Sequence, residues 1–151
     1  MKKLLQYFFL LTFLSTGLLL SCTEGDVGND GPDARDEIVR RWRCTEDVAS
    51  GDPPVYDVDI FKTSASTTQV TLDNFGNFGV GLTITATMNN LVLTIDEGQT
   101  IADYQISGTG TIASNYKTVD WSFTISDGVV EETVTATFRE QDIIVKSNLV
   151  E

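Results

Sequence analysis

Strict alternation of apolar and polar residues runs from residue 41 to about residue 139 of this 151-residue chain. The segment VGLTITATM, residues 80–88, is the clearest instance, because every second residue is apolar and those between are glycine or threonine. Successive side chains of a β-strand point to opposite faces, so the pattern predicts strands with one buried and one hydrated face. Six further segments repeat it: VYDVDIFK, TQVTLDN, LVLTI, YQISGTGTIAS, TVDWSFTIS and VVEETVTATF.

Short turn signals separate these segments and limit how the strands can be connected: SGDPP, TSAST, NFGNFG, MNN, DEG, ASNYK and SDG. Connections of this length leave no room for crossover helices, which excludes a parallel sheet. Sequential hairpins predict an antiparallel up-and-down meander, and such a sheet protects its edge strands best by closing on itself. We therefore predict an all-β domain that forms a small lipocalin-like barrel of about eight strands, with a two-sheet β-sandwich as the alternative.

A short helix is predicted before the first strand. In the segment DARDEIVRRW, Ala34, Ile38 and Trp42 have helical spacing, and Asp33 is a suitable amino-terminal cap. The final segment QDIIVKSNLVE either adds a last strand or forms a loose tail. We assign residues 34–151 to the barrel domain, with its leading helix and carboxy-terminal tail.

The first 21 residues have the pattern of an export signal. Lys2 and Lys3 precede an apolar run over residues 4–20, and the small residue Ser21 separates that run from Cys22. A bilayer span needs roughly 20 apolar residues with anchoring flanks, whereas polar residues dilute this run and no basic cluster follows it. The pattern favours a cleaved signal peptide. Residues 22–33 are rich in glycine and aspartate, which predicts a flexible tether.

Residues 19–22, with the sequence LLSC, resemble the lipobox of bacterial lipoproteins, in which a small residue precedes the cysteine that is lipidated. The resemblance implies that Cys22 receives diacylglycerol, becomes the new amino terminus and anchors the protein in a membrane. Thr23 in place of aspartate implies, by resemblance to lipoproteins of Gram-negative bacteria, the outer membrane, on its periplasmic or surface side. The alternatives are an ordinary leader that contains a chance cysteine, or an uncleaved anchor.

Motifs within the domain follow a characteristic order: a tryptophan after the short helix, then YDVDI, DNFGNFG, TISDG and TVTATF. In this order they resemble a family of small Bacteroidetes lipoproteins with lipocalin-like, calycin-type domains, over roughly residues 40–139. The resemblance implies the barrel fold. It offers no catalytic motif whose residues can be carried over to this chain.

Charge and composition exclude several classes of function. The chain has 22 acidic and 10 basic residues and a net charge of −12; without Lys2 and Lys3 the balance is 8 − 22 = −14. This excess of negative charge disfavours nucleic acids and charge-driven adsorption to anionic lipid as partners. Histidine is absent, which removes the commonest general base and metal ligand and leaves no activated serine. We therefore assign no cofactor, no metal and no catalytic residue.

Cys44 and several carboxylates are the remaining candidates for chemistry. With Cys22 lipidated, Cys44 has no disulfide partner, and we expect it to be a small buried residue with Arg43 on the opposite face. Four carboxylates are expected on the hydrated face: Asp57, Asp59, Glu131 and Glu132. The alternatives are a calcium site that includes Asp73 and Asn74, or a carboxylate pair that cleaves glycosides.

Aromatic residues decide between a filled and a hollow barrel. The turn NFGNFG contains Phe75 and Phe78, which either fold back to plug one end of the barrel or form a ligand mouth. Other aromatic residues are expected in the core or lining the barrel: Trp42, Tyr56, Tyr104, Trp121 and Phe123. An eight-stranded barrel is just wide enough to be filled by side chains or to hold one small ligand.

These observations favour a non-enzymatic, lipid-anchored binding or accessory protein of the cell envelope. Its partner would be a small apolar ligand, a glycan or another envelope protein. The alternative is a structural or interaction lipoprotein with a filled core. A hollow lined by Tyr56, Trp121, Phe123, Phe75 and Phe78 would favour ligand binding, whereas a packed interior would favour the alternative.

Overall fold

A computed structural model describes residues 32–141. The predicted signal peptide, Cys22 and most of the tether lie outside these residues. So does the carboxy-terminal tail after Gln141, for which a last strand or a loose segment was predicted. The described chain contains two single turns of 3-10 helix, η1 (Ala34–Glu37) and η2 (Phe75–Asn77). Its strands are β1 (Arg41–Glu46), β2 (Val55–Lys62), β3 (Gln69–Asp73), β4 (Thr83–Asn89), β5 (Val92–Ile95), β6 (Thr100–Ile101), β7 (Tyr104–Ile112), β8 (Thr118–Ser126) and β9 (Glu131–Glu140).

The strands form one closed antiparallel sheet. Strands that follow one another along the chain pair with each other from β1 to β5 and from β6 to β9, and β9 pairs back with β1, where Phe138 lies opposite Cys44. β5 pairs with β7, and the two-residue β6 pairs only with the beginning of β7. Eight strands therefore form the wall of an up-and-down barrel, as predicted. The β-sandwich alternative is wrong, because the β1–β9 and β5–β7 pairings leave no boundary between two sheets.

The inner face of the barrel forms a single hydrophobic core, as the alternation predicts. The core includes Trp42, Cys44, Tyr56, Val58, Ile60, Val70, Leu72, Phe75, Ile84, Ala86, Met88, Leu93, Ile95, Ile106, Ile112, Val119, Trp121, Phe123, Ala136 and Phe138.

The burial predicted from the alternation is wrong near the ends of some strands. Four residues predicted to be buried are exposed: Val80 (88%), Leu82 (41%), Tyr104 (41%) and Val130 (64%). The first two and Val130 precede the strands they were assigned to, whereas Tyr104 is the first residue of β7.

The leading helix is shorter than predicted: the spacing of Ala34, Ile38 and Trp42 indicated a helix that reaches Trp42, whereas η1 ends at Glu37. Asp33 caps η1 by accepting a hydrogen bond from the backbone N–H of Arg35 at 3.0 Å. The helix ends after one turn, and Trp42 lies in β1, where its indole Nε1 donates to the Ile38 carbonyl at 2.9 Å. The indole hydrogen bond, and not a continuous helix, is therefore one of the contacts that join the leading segment to the barrel.

The guanidinium of Arg35 attaches this leading segment to the β2–β3 loop and to the first residue of β3. It is buried, and its Nη1 donates to the carbonyls of Thr63, Ser66 and Gln69 at 3.2, 2.6 and 2.8 Å. Its Nε and Nη2 donate to the Asp33 carboxylate, and these bonds hold the pKa of Asp33 below its usual range. The segment is therefore fixed to one end of the barrel, and a shallow hollow beside it is lined by Arg35, Lys62 and residues 63–67.

The alternating strand directions give the barrel two distinct ends. We call the end that carries η1 and the β2–β3, β4–β5 and β7–β8 connections the lower end. The upper end carries the other connections: β1–β2 (residues 47–54), β3–β4 (74–82), β5–β7 (96–103) and β8–β9 (127–130). The described chain enters the barrel at the lower end.

Candidate functional site

The interior of the barrel is filled by an aromatic cluster. The ring of Phe75 is fully buried, and its centroid lies 4.9 Å from that of Trp121, 4.7 Å from Phe123 and 6.1 Å from Phe138. Trp121 and Phe138 in turn lie 5.7 Å apart. Such spacings and tilted geometries are those of well-packed aromatic pairs. Phe75 therefore closes the interior from the upper end, and the space in which a ligand could have been held is occupied by the protein itself.

The β3–β4 connection places Phe75 inside the barrel. Asn74 has a left-handed backbone with φ of 61°, and its side chain donates to the Asp57 carbonyl at 2.8 Å and accepts from Gly79 N–H at 2.8 Å. Gly76 also has a positive φ of 64°, and asparagine and glycine tolerate this conformation best. The NFGNFG segment thus folds back over the barrel because Asn74 ties both its ends to the sheet.

The other candidate aromatic residues take different positions. Phe78 is half-buried at the rim of the upper end, where its ring centroid lies 5.7 Å from that of the exposed Tyr104. Tyr56 is buried and its hydroxyl donates to Glu46 Oε1 at 2.6 Å. Burial raises the pKa of Tyr56 above its usual value, and the bond to Glu46 raises it further. Tyr56, Trp121, Phe123 and Phe75 are therefore core residues, while Phe78 belongs to the surface of the upper end.

Trp121 packs against β7, and its indole nitrogen Nε1 has an unusual environment. Its Nε1 is buried and has no hydrogen-bond partner among residues 32–141, a state that costs about 1–3 kcal/mol in a protein interior. A Cβ atom on Gly110, which lies directly opposite on β7, would come within 2.6 Å of the indole ring. The ring therefore packs directly on the backbone of Gly110. This close packing places the Trp121 Nε1–H where no acceptor of residues 32–141 reaches it.

Cys44 has the environment of a structural residue. It is fully buried and forms no disulfide within residues 32–141, and burial raises the pKa of its thiol to about 12. A thiol with this pKa is protonated at neutral pH and is a poor nucleophile. Arg43 points outward as expected, where its guanidinium pairs with Asp57 at 2.8 Å.

The four carboxylates considered for glycoside cleavage do not meet in one cleft. Asp57 and Asp59 form outward ion pairs, and the two oxygens of Asp59 accept from Arg41 at 2.8 and 2.7 Å. Asp57 lies at the level of Arg139, since both are opposite Arg43, whereas Glu131 and Glu132 begin β9 at the upper end. Seven residues of strand separate Glu132 from Arg139, or roughly 24 Å. A catalytic carboxylate pair requires roughly 5–10 Å.

The oxygens considered for calcium are engaged in hydrogen bonds within the β3–β4 connection. Asp73 Oδ1 accepts from Gly81 N–H at 2.7 Å, and Asn74 Oδ1 accepts from Gly79 N–H. Across residues 32–141, acidic and cysteine side chains form no group of three or more that could hold a metal ion. These side chains hold the connection in place.

The upper end of the barrel carries a concentrated negative charge. Nine acidic side chains lie there: Glu46, Asp47, Asp52, Asp73, Glu97, Asp103, Asp127, Glu131 and Glu132. Asp96 is counted with the wall, because its carboxylate accepts hydrogen bonds from Gln69, Thr85 and Thr87 on the outer face of the sheet. All basic residues of the described range lie on the lower end or the wall: Arg35, Arg40, Arg41, Arg43, Lys62, Lys117 and Arg139.

The difference in charge between the two regions is large. The described range contains 17 acidic residues, of which nine lie at the upper end and eight on the lower end and wall. With the seven basic residues, the net charge of the lower end and wall is 7 − 8 = −1, whereas that of the upper end is −9. The ion pairs within residues 32–141 all lie on the lower end and wall. Seven of the nine acidic residues of the upper end are exposed, and Glu46 and Asp73 are partly exposed. None of the nine forms an ion pair with a basic side chain of this part of the chain.

Exposed apolar side chains are concentrated at the same end. Seven of the nine large hydrophobic residues that are exposed in the described range belong to it: Val48, Val55, Val80, Leu82, Tyr104, Val129 and Val130. Val129 and Val80, with exposures of 92% and 88%, protrude furthest from the protein. We call this combination of acidic and apolar residues the upper-end surface.

The upper-end surface was not predicted from the sequence, although its signal is present there. The turns SGDPP, DEG and SDG are acidic, and in an up-and-down meander alternate turns lie at the same end of the sheet. Each turn by itself is an ordinary polar connection, and only the closed sheet brings the four connections together at one end of the barrel.

Comparisons with known proteins support the architecture alone. No known protein family and no curated protein matches the chain. Among solved structures, the barrel is similar to a redesigned β-barrel, with 16% sequence identity, a TM-score of 0.51, and coverage of 73% of this chain and 96% of that one. A similarity at this level of identity concerns the fold. Within residues 32–141, no helix is long and apolar enough to cross a membrane.

Proposed function

We propose that this protein is a lipid-anchored, non-enzymatic accessory protein of the cell envelope that binds another envelope protein through its outer surface. The observation that carries the proposal is the burial of Phe75 against Trp121, Phe123 and Phe138. Because the interior is packed, an internal ligand is disfavoured, and the external upper-end surface becomes the best candidate for recognition.

The proposed lipid anchor rests on the amino-terminal sequence. The leader and the LLSC sequence support lipidation of Cys22, and several acyl chains on one residue give durable membrane attachment. The described chain begins at Pro32 beside η1, at the lower end. Pro32 thus lies at the end of the barrel opposite the upper-end surface.

The membrane location is tested by replacing Cys22 with alanine. We expect this variant to move from the detergent-rich to the aqueous phase in Triton X-114 partitioning, and to lose the acyl mass at its amino terminus in mass spectrometry. The matched control is Cys44→Ala, which removes the other cysteine and should leave partitioning and acylation unchanged. A Cys22→Ala protein that still carries an acyl group would contradict the proposal.

Binding through the upper-end surface is tested by photo-crosslinking in the native host. A photoreactive amino acid at Val129, on the upper end, should produce a discrete adduct with an envelope protein. Phe61 is the matched control position, because it is 48% exposed and lies near the lower end of β2. Equal adducts from both positions, or an adduct from Phe61 alone, would show that this surface does not carry the binding.

A further inference from the structure

The charge and shape of the upper-end surface identify the class of partner that fits it. We infer that it binds a cationic amphipathic segment of another protein, in which a lysine- or arginine-rich face adjoins an apolar face. This inference rests on the proposed function and adds the chemistry of the partner.

Electrostatics favour a cationic partner. Nine carboxylates surround the upper end, and no basic side chain of residues 32–141 lies among them. Charges that lie within the Debye length of about 8–10 Å act together on an approaching molecule. Such a one-signed surface steers oppositely charged partners and repels like-charged ones. It disfavours nucleic acids, anionic lipid and a second copy of the same surface as occupants.

The exposed apolar residues favour a partner that also has an apolar face, because the structure holds these residues in solvent. At the β8–β9 turn, Asp127 Oδ1 accepts from the backbone N–H groups of Val129 and Val130 at 2.8 and 2.7 Å. These bonds hold the pKa of Asp127 below its usual range and close the turn with both valines outward. Glu131 and Glu132 follow immediately. An apolar tip bordered by carboxylates is thus built into the hairpin.

The β3–β4 connection repeats this arrangement. Asp73 Oδ1 accepts from the Gly81 N–H at 2.7 Å, and the residues on either side, Val80 and Leu82, are both exposed. Two separate connections therefore present apolar side chains next to a carboxylate that fixes the turn. A purely cationic partner would leave these apolar residues in water, and a purely apolar partner would bury the carboxylates without compensation. An amphipathic cationic segment satisfies both.

Binding can be measured with a defined probe. The mature full-length protein is placed in phosphatidylcholine nanodiscs and immobilised for surface plasmon resonance, with empty nanodiscs as the reference. The probe is a synthetic helical peptide with leucine on one face and lysine on the other. Two control peptides are used: one with the same composition but scrambled faces, and one with glutamate in place of lysine. We expect saturable binding of the probe that weakens between 20 and 300 mM NaCl, and weaker or no binding of both controls.

Variants locate the binding. The triple change Glu97→Gln, Glu131→Gln and Glu132→Gln should raise the Kd about tenfold, or about 1.4 kcal/mol. The change Val80→Ser with Val129→Ser should also raise it. The matched control is Asp36→Asn, Glu37→Gln and Asp120→Asn, which removes the same charge away from the upper end and should change the Kd less than about twofold, or about 0.4 kcal/mol.

Several outcomes overturn the inference: no binding of the probe, equal binding of the scrambled peptide, or an equal effect of the control variant. The scrambled-peptide result would indicate general attraction between opposite charges. These outcomes are distinguishable from failure of the proposed function. A protein that is acylated at Cys22 and crosslinks through Val129, but does not bind the probe, retains the proposed function and loses only the cationic amphipathic partner.

Discussion

Replacing Phe75 with alanine should lower the free energy of unfolding by about 3–5 kcal/mol. The side chain is fully buried and contacts three aromatic rings, one of them only 4.7 Å away. The barrel wall is a hydrogen-bonded closed sheet that collapses only partly around a cavity, so most of the lost contact is not recovered. The measurement is urea unfolding of the full-length chain in detergent, followed by tryptophan fluorescence, to which Trp42 and Trp121 in the core contribute.

The matched control for this prediction is Phe61→Ala, which removes the same side chain from the outer face of β2. Phe61 is 48% exposed, and we expect its loss to cost less than about 1 kcal/mol. Similar losses from the two substitutions would show that Phe75 is not an interior plug. The proposal of an external binding surface would then lose its main support, because the interior would be free to hold a ligand.

Replacing Gly108 with alanine should destabilise the barrel by more than about 4 kcal/mol, which is exceptional for a single substitution. A Cβ atom at this position would lie 2.5 Å from both the Cα of Phe123 and the carbonyl oxygen of Ser122. Both are backbone atoms of the paired strand β8 and cannot move without breaking the β7–β8 ladder. The backbone φ of +150° is also unfavourable for alanine.

Alanine substitutions at two other glycines serve as comparisons for the loss of stability in Gly108→Ala. Gly98 has a φ of +73°, and no atom lies within 4 Å of the point where its Cβ would stand, so Gly98→Ala should show only the backbone cost of about 1 kcal/mol. Gly110→Ala should be intermediate, because the Cβ atom would meet the Trp121 side chain and not backbone atoms of β8. The measurement is the thermal unfolding midpoint of each full-length variant, with soluble yield as a second readout. A Gly108→Ala protein as stable as Gly98→Ala would contradict the predicted clash with β8.

The inner and outer faces of most strands could be predicted from sequence because alternation is a local property. The ends of strands could not. Val80 and Leu82 continue the apolar period of β4 although pairing begins only at Thr83. The apolar pattern indicates which face of the sheet a residue favours, but it does not indicate where a strand ends. A strand ends where its neighbour no longer pairs with it.

The role of the GTG segment in β7 could not be predicted from the local sequence either. In sequence, Gly108 and Gly110 are gaps in the apolar pattern of YQISGTGTIAS. In the barrel they lie opposite Phe123 and Trp121. The Trp121 ring packs directly on Gly110, and the β8 backbone at Ser122 and Phe123 approaches Gly108 closely. Glycines at such positions let a curved sheet accommodate bulky side chains on its inner face. The need for them arises from the partner strand β8, whose register with β7 is set only when the two strands pair.

The amino-acid sequence by itself determined that this chain forms antiparallel strands with an apolar inner face, because side-chain alternation and short turns act between near neighbours. Tertiary structure decided the closure of β9 onto β1, the position of Phe75 inside the barrel and the gathering of acidic and apolar residues at one end. Each of these depends on contacts between residues far apart in the chain, whose relative positions exist only once the sheet has closed.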